Sequence, residues 1–280
     1  MKLQPALWLS VGLLALLAAY GASVYPRWRH DRELGERVAQ RISSLGLPAT
    51  PCPAPGDRRR MVLLALGQSN AGNHGAAGPL DNSPVTVAID GKCVSARDPL
   101  PGATGQGGSI WQRLAVALVQ QDDRRAVVLA VFAVDASSID DWIRDGSPLR
   151  GSLEQQLAQL QQLGLRPDVI LWQQGEADAR AGMTEASYAA KLDALAKLLD
   201  EAGMQSPVYL ARSTVCRSPA NEAIRSAINS KIGTGGHWQS GPDTDQLTGR
   251  EFRLDDCHFS AKGLDAAARM WAIALTPGKG

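Results

Sequence analysis

The sequence has 280 residues, of which 44% are hydrophobic and 20% charged, so it is long enough for one sizeable globular domain with a core that needs no metal or disulfide to fold. The formal net charge is +1, and the lysines and arginines are scattered among acidic residues. This pattern excludes a basic surface of the kind that binds nucleic acid, so we expect no nucleic-acid partner.

Residues 1–28 predict a signal anchor or a signal peptide. The run 5–24 carries no charge and, at about 1.5 Å per residue, spans about 30 Å as a helix, which is the thickness of a bilayer core. Ala19-Tyr20-Gly21 is a passable cleavage site, but the run is long for a signal peptide, and the arginines after it favour the opposite orientation. We expect a transmembrane anchor with the domain outside the cytoplasm, periplasmic or extracellular, or secreted if the segment is cleaved.

Residues 29–60 begin as a charged helical stretch and end in a Pro-rich segment. This composition predicts a stalk and linker between the membrane and the domain. The globular domain is then expected over residues 61–280.

Beyond residue 60, short apolar runs alternate with segments of helical periodicity. The runs predict buried parallel strands at Met61–Leu66, Ala126–Val134, Asp168–Trp172 and Pro207–Ala211, with an extra strand or hairpin arm at Val85–Ile89. The periodic segments predict helices at Ile110–Gln120, Ser152–Leu163, Thr184–Ala202, Asn221–Ser230 and Ala261–Leu275. This alternation indicates an α/β fold with a mainly parallel, doubly wound sheet, whose ligands bind at the carboxyl ends of the strands.

The first predicted strand ends in Gly67-Gln68-Ser69-Asn70. The glycine permits a sharp turn, which would place Ser69 near a helix N-terminus, with its N–H facing an oxyanion and its hydroxyl pointing into the cleft. We expect the amides of Gln68 and Asn70 to position the turn and its ligand. The alternative is that Ser69 only caps a helix.

Two further blocks precede or follow predicted elements. Gly107-Gly108-Ser109 comes before a helix, and a backbone N–H there, that of Gly108, is expected to be free to reach into the site. Gln174 follows a strand, where its side-chain amide can stabilise an oxyanion. We expect Glu176 and Asp178 to hold loops or to pair with an arginine; the alternative is a carboxylate pair for acid–base chemistry.

Near the C-terminus, Asp255 and His258 are three residues apart. One turn of chain can bring this carboxylate to the Nδ1 atom of the imidazole, which leaves Nε2 to take a proton from a serine. Rival carboxylates are Asp243, Asp245 and Asp256. His74 lies too close to Ser69 in sequence to be an obvious base, and His237 lies in a Gly-rich loop.

The four cysteines are Cys52, Cys93, Cys216 and Cys257. None forms a CxxC pair and no histidine has zinc-site spacing relative to them, so we expect no metal. An even count behind an export-type segment favours two disulfides, with Cys52–Cys93 and Cys216–Cys257 preferred among three pairings. The alternative is four buried free thiols.

Together these blocks resemble the SGNH (GDSL-like) hydrolase superfamily, in its sialate O-acetylesterase-like carbohydrate esterase branch. The branch has GQSN, W-x-Q-G-E-x-D and D-x-x-H-F motifs, which correspond here to Gly67–Asn70, Trp172–Asp178 and Asp255–Phe259 in the same order. The likeness extends over residues 61–274.

The resemblance implies a three-layer α/β/α sandwich and a role for each site residue. Ser69 would be the nucleophile, His258 the general base and Asp255 the residue that orients it. The oxyanion hole would consist of the N–H groups of Ser69 and Gly108 and the side chain of Gln174. Two departures affect the substrate side: Ala71-Gly72 follows GQSN where the branch often has a bulky residue, and Asp135-Ala136 occupies positions where its loop commonly has glycines.

From these features we expect a serine esterase without a cofactor that removes O-acetyl groups from a carbohydrate or glycoconjugate through an acyl-enzyme. One alternative is an O-acetyltransferase that uses the same acyl-enzyme. Others are a catalytically inactive, membrane-tethered glycan-binding protein and a structural stalked protein.

Overall fold

The computed structural model describes residues 25–54, 57, 59–77, 84–121, 126–234 and 236–276. Within these ranges, no helix combines the length and the apolar character that a membrane crossing requires. The predicted membrane segment at residues 5–24 lies outside the described residues, so the anchor and the placement of the domain stay predictions.

The centre of the fold is a seven-stranded sheet with the order β3-β2-β4-β1-β5-β6-β7. Its strands are β1 Arg60–Gly67, β2 Val85–Ile89, β3 Lys92–Ala96, β4 Ala126–Ala133, β5 Val169–Gln173, β6 Val208–Arg212 and β7 Trp238–Asp243. All neighbours pair in parallel except β2 and β3, which form an antiparallel hairpin at one edge. This confirms the mainly parallel sheet and the hairpin arm.

Helices cover both faces of the sheet. They are α1 at residues 25–39, α2 Ile110–Gln121, α3 Ile139–Ile143, α4 Pro148–Gln162, α5 Glu176–Arg180, α6 Glu185–Glu201, α7 Glu222–Ile232 and α8 Ala261–Leu275. Alternate residues of β1 point to opposite faces: Leu64 joins a core that includes α4, α6 and α7, and Leu63 joins one that includes α2 and α8. The two cores explain why β1 is apolar throughout.

The arrangement of the strands places a cleft at the carboxyl end of β1. The chain fills one half of the sheet with β2, β3 and β4, and then crosses β1 to build the other half with β5, β6 and β7. Ligands bind at such switch points in open α/β sheets because the connections diverge there and leave a crevice. The segments that follow β1, β4 and β5 therefore meet at one place.

The segment 29–60 differs from the predicted stalk, because much of it packs on the domain. Leu34 and Val38 of α1 belong to the core on the α4 face. His30 Nε2 lies 2.6 Å from Asp141 Oδ1 on α3, and Cys52 is bonded to Cys93 on β3. Only two apolar residues face the core, so the sequence of α1 looks like that of a solvated helix although tertiary packing buries one side of it.

Both predicted disulfides are present. Cys52 is joined to Cys93 and Cys216 to Cys257. The pairing therefore confirms the preferred connectivity and excludes the alternative of four free thiols.

Candidate active site

Ser69 lies two residues after the end of β1, at the start of a 3₁₀ turn that spans Ser69–Ala71. Gly67 has φ 151°, and a Cβ at this position would meet the carbonyl oxygen of Gln173 at 2.1 Å, so only glycine lets the chain turn so close to β5. Because Ser69 is the first residue of the turn, the turn itself leaves its N–H without a partner. Its hydroxyl makes no hydrogen bond to any residue that the structure describes.

The turn at Ser69 is tied to the loop that carries His258. Asn70 Nδ2 donates to the carbonyl oxygen of Cys257 at 3.2 Å and to Glu176 Oε1 at 2.8 Å. The N–H of Ala76 donates to the carbonyl oxygen of Phe259 at 2.9 Å. Both donors follow Ser69 in the chain, and the two acceptors, Cys257 and Phe259, stand on either side of His258. Residues about 190 apart in sequence are thus brought to the same edge of the sheet.

Asp255 contacts His258 as the sequence predicts. Its Oδ2 lies 3.1 Å from Nδ1 of the imidazole, and its Oδ1 accepts the N–H of His258 at 2.8 Å. Of the rival carboxylates, Asp243 and Asp245 pair with Arg225 at 2.7 and 3.0 Å.

His74 is a site residue that sequence reasoning passed over. Its ring stacks on that of His258, with 5.3 Å between centroids and 26° between planes. Its Nε2 lies 3.1 Å from Thr104 Oγ1. Burial and, to a smaller extent, the nearby His258 lower the pKa of His74, so a neutral ring lies against the candidate base. His74 is close to Ser69 in sequence, which made it a poor candidate for the base. The same closeness places it on the loop after β1, where it reaches His258.

Gly108 lies beside the site, but its N–H is not free. It donates to the carbonyl oxygen of Gly75 at 3.1 Å, and the N–H of Gly75 donates to the carbonyl oxygen of Gly108 at the same distance. This short antiparallel bridge joins the loop after β1 to the loop before α2. The expectation of a free Gly108 N–H is therefore wrong for this structure.

Gln174 is fully buried and its amide is fully engaged. Its Nε2 contacts the carbonyl oxygen of Ser137 at 3.1 Å, Gln68 Oε1 at 3.3 Å and Asp178 Oδ2. Its Oε1 accepts the Tyr188 hydroxyl at 2.8 Å. To bind an oxyanion, Gln174 would have to exchange one of these partners, so its oxyanion role stays a prediction.

Glu176 and Asp178 hold loops through hydrogen bonds. Glu176 Oε1 accepts from Asn70 and, at 2.8 Å, from the Ser213 hydroxyl, whereas Oε2 has no partner among the described residues. Asp178 accepts the N–H of Ile139 at 3.1 Å, at the start of α3. Burial raises the pKa of Glu176 to about 7 and that of Asp178 to about 6, despite these donors.

In the loop after β4, the backbone N–H of Ala136 makes no hydrogen bond to a described residue. The N–H of Val134 donates to the carbonyl oxygen of Gly67 at 3.1 Å, which holds the start of the loop against the end of β1. Ala136 is exposed with φ 53°, a left-handed conformation that favours glycine. This conformation fits the glycines that the resemblance to the esterase branch leads one to expect here, and the Asp135-Ala136 pair was the signal in the sequence.

A cavity of about 380 Å³ opens between α2 and α8, next to Gly107 and Gly108. Its polar lining includes Arg113, which pairs with both Asp98 and Asp265. Ser69 and His258 do not line it, so it is separate from the cleft. Within the described ranges, no group of three or more His, Cys, Asp or Glu residues is arranged to hold a metal ion.

The family model described as carbohydrate esterase, sialic acid-specific acetylesterase, matches residues 59–276. The match covers both the strands and the site residues described above. Among curated proteins, no significant match was found.

Several solved structures share the fold. A protein from Arabidopsis thaliana is 17% identical, with a TM-score of 0.62 over 78% of this chain and 96% of that one. NanS is 16% identical, with a TM-score of 0.53 over 77% and 96%. A structure described as a GDSL-like lipase from Parabacteroides merdae is 15% identical, with a TM-score of 0.52 over 79% and 98%. At these identities the likeness shows the fold alone.

Proposed function

This chain belongs to the carbohydrate esterase family of sialic acid-specific acetylesterases and is a carboxylic ester hydrolase, and we propose that it removes O-acetyl groups from a carbohydrate or glycoconjugate through a Ser69–His258–Asp255 triad. The observation that carries the proposal is the set of hydrogen bonds that ties the Ser69 turn to the Asp255–His258 loop.

In the proposed reaction, the Ser69 hydroxyl attacks the acetyl carbonyl carbon and His258 Nε2 takes its proton. The sugar oxygen leaves with that proton, and an acetyl-enzyme remains. Water then attacks the acetyl group with His258 again as base, which releases acetate and restores Ser69. Asp255 accepts from Nδ1 throughout and stabilises the protonated imidazole. The Ser69 hydroxyl makes no hydrogen bond to a described residue in this structure, and catalytic hydrogen bonds often form only when substrate is bound.

For the oxyanion we propose the N–H groups of Ser69 and Ala136 as donors. Both stand near the carboxyl ends of neighbouring strands, Ser69 after β1 and Ala136 after β4. Gln174 Nε2 contacts a neighbour of each, Gln68 and Ser137, so the two segments meet at this side chain. The N–H of Gly108 is bonded to Gly75, and Gln174 already holds its own partners. Loss of one such donor typically costs about 10²- to 10³-fold in rate.

The proposal is tested by labelling and by acetate release. A fluorophosphonate should modify wild-type protein at Ser69, located by peptide mass analysis, and a panel of O-acetylated sialic acids and other O-acetylated glycans should release acetate. Absence of both labelling and release would refute the esterase proposal. Appearance of acetyl groups on an added glycan acceptor, in place of free acetate, would favour the transferase.

A further inference from the structure

Asp255 is contacted by an arginine as well as by His258. Arg217 Nη2 donates to Asp255 Oδ2 at 2.8 Å, the same oxygen that faces His258 Nδ1. The other oxygen, Oδ1, accepts the N–H groups of Cys257 at 3.2 Å and His258 at 2.8 Å. The carboxylate is therefore held on both oxygens, and Arg217 holds Oδ2, which accepts no backbone hydrogen bond.

The backbone of Arg217 is itself held in place. Its N–H donates to the carbonyl oxygen of Asp256 at 2.8 Å, and its neighbour Cys216 is bonded to Cys257. Arg217 and Asp256 both have left-handed backbone conformations, with φ 58° and 60°. The loop after β6 and the loop before α8 are thus joined by a hydrogen bond and a disulfide.

This tether lowers the cost of forming an exposed ion pair. The side chains of Arg217 and Asp255 are 65% and 37% exposed, and isolated pairs of this kind contribute little because ordering two side chains offsets the attraction. A disulfide one residue from Arg217 restricts its backbone beforehand, so less freedom is lost when the pair forms.

The charges around Asp255 come from three elements. Arg217 and His258 contact it directly, and His74 from the loop after β1 stacks on His258. The buried Arg253 interacts with Asp255 electrostatically. Although partial burial acts to raise it, the hydrogen bonds from the His258 N–H and from Arg217 hold the pKa of Asp255 well below its usual range. Asp135 and Asp255 are the carboxylates that act on His74.

We propose that Arg217 is a positioning residue for Asp255, and that the Cys216–Cys257 disulfide keeps it in place, so that the oxidised protein is the active form. This inference rests on the proposed esterase function. Arg217 touches no reacting atom and acts through the orientation of the carboxylate, and its charge offsets part of the attraction between Asp255 and a protonated His258.

The first test compares Arg217→Met, Arg217→Lys and Arg29→Met. Arg29 is a matched control, because it is 67% exposed and pairs with Glu33 at the same distance of 2.8 Å. On p-nitrophenyl acetate we expect Arg217→Met to lower kcat about tenfold with little change in KM, and to move the acid limb of the kcat/KM profile to higher pH. Arg217→Lys should restore most of kcat, and Arg29→Met should behave as wild type. Wild-type kcat and an unmoved acid limb in Arg217→Met would overturn the proposal.

The second test compares two double variants, Cys216→Ser/Cys257→Ser and Cys52→Ser/Cys93→Ser. Each disulfide has a sequence separation of 41, so removal of either should lower Tm to a similar extent in the chain-entropy model. Assayed well below both Tm values, the first variant should lose at least tenfold in kcat and the second should keep wild-type kcat. Equal kcat in the two variants would contradict the role of the disulfide, and if the first variant does not fold, the Arg217 series decides.

Failure of the esterase proposal is recognised separately, by wild-type protein that neither releases acetate nor is labelled at Ser69. In that case a crystal structure of Arg217→Met still decides this inference. Without Arg217, the Asp255 carboxylate should turn away from His258 Nδ1, and an unchanged 3.1 Å contact would overturn the inference.

Discussion

The two disulfide bonds have the same sequence separation of 41 but lie in regions with different roles. Cys52–Cys93 connects the N-terminal segment to the edge hairpin, where Ala49 also bridges to Val94. Cys216–Cys257 connects the loop after β6 to the loop that carries His258, and Arg217 beside it contacts Asp255. We call these the buttress region, residues 25–54 with β2 and β3, and the catalytic edge, the loops at the carboxyl ends of β1 and β4–β6 together with residues 252–260.

In the chain-entropy model each cross-link stabilises the fold by about 4 kcal/mol, because both close loops of similar length. Their difference therefore arises from their neighbours. The buttress disulfide stands among apolar residues, where Cys52 packs against the core and Cys93 is buried in it. The other stands among charged and titratable groups. A cross-link adds function only where it fixes a group that takes part in the chemistry.

The largest expected effect is at the catalytic edge. Ser69→Ala should lower acetate release by about 10⁴- to 10⁶-fold, because it removes the nucleophile and leaves only binding and the oxyanion donors. Ser95→Ala on β3, in the buttress region, is the matched control and should keep full activity. The measurement is kcat/KM on p-nitrophenyl acetate, with circular dichroism to show that both variants fold. A Ser69→Ala variant with near-wild-type activity would remove the basis for a separate catalytic edge.

The next largest effect is expected in the buttress region. Leu34 is fully buried, so Leu34→Ala should lower the free energy of unfolding by about 2–5 kcal/mol through lost burial and a cavity. Leu45→Ala, at a residue that is 89% exposed, should change it little. Urea unfolding measures both. The buttress region contributes core packing and none of the proposed catalytic residues, so kcat of Leu34→Ala measured below its unfolding temperature should equal that of wild type. A large loss of kcat would show that the two regions are coupled.

Glu176 should make stability depend on pH. Burial raises its pKa from 4.5 to about 7, so the folded state favours the protonated acid. The resulting contribution to the free energy of unfolding is complete below about pH 4.5 and is lost as pH rises through 7. The loss is on the order of 3 kcal/mol for a shift of this size. Asp178, with its pKa raised to about 6, acts in the same direction at lower pH.

The measurement is urea unfolding of wild type and Glu176→Gln at pH 5 and pH 8. The variant should lose less stability than wild type between the two values, and Glu201→Gln, at an exposed helix position, should match wild type. Equal slopes in wild type and Glu176→Gln would show that Glu176 is not the source of the pH dependence.

The smallest effect is expected at His74. When His258 takes up a proton, the stacked ring of His74 offers it an aromatic face, an interaction of about 0.5–1 kcal/mol. His74→Ala should therefore lower kcat/KM about two- to fivefold, whereas His74→Phe, which keeps an aromatic face, should stay within about twofold of wild type. A Phe variant as impaired as the Ala variant would mean that the contact to Thr104 matters and the stack does not.

Much of the sheet was predictable because its strands are buried on both faces. β1, β4 and β5 are apolar at every or nearly every position, a pattern that a parallel sheet covered by helices requires. β7, with the sequence WQSGPD, was missed because an edge strand pairs on one side only and tolerates polar residues. The short helices α3 and α5 were missed because five residues carry too little periodicity.

The sequence by itself determined the α/β class and the Ser69, Asp255 and His258 motifs, because apolar periodicity and residue order are local properties. It favoured one pairing of the cysteines, and the structure decided it, because sulfur atoms pair by distance in space. Tertiary structure alone decided that α1 lies against the core, that Gly108 gives its N–H to Gly75, and that His74 and Arg217 lie beside the candidate triad. These outcomes depend on which loops meet at the edge of the sheet, and a hydrogen bond or a ring contact is set by distance in space, which the order of residues does not encode locally.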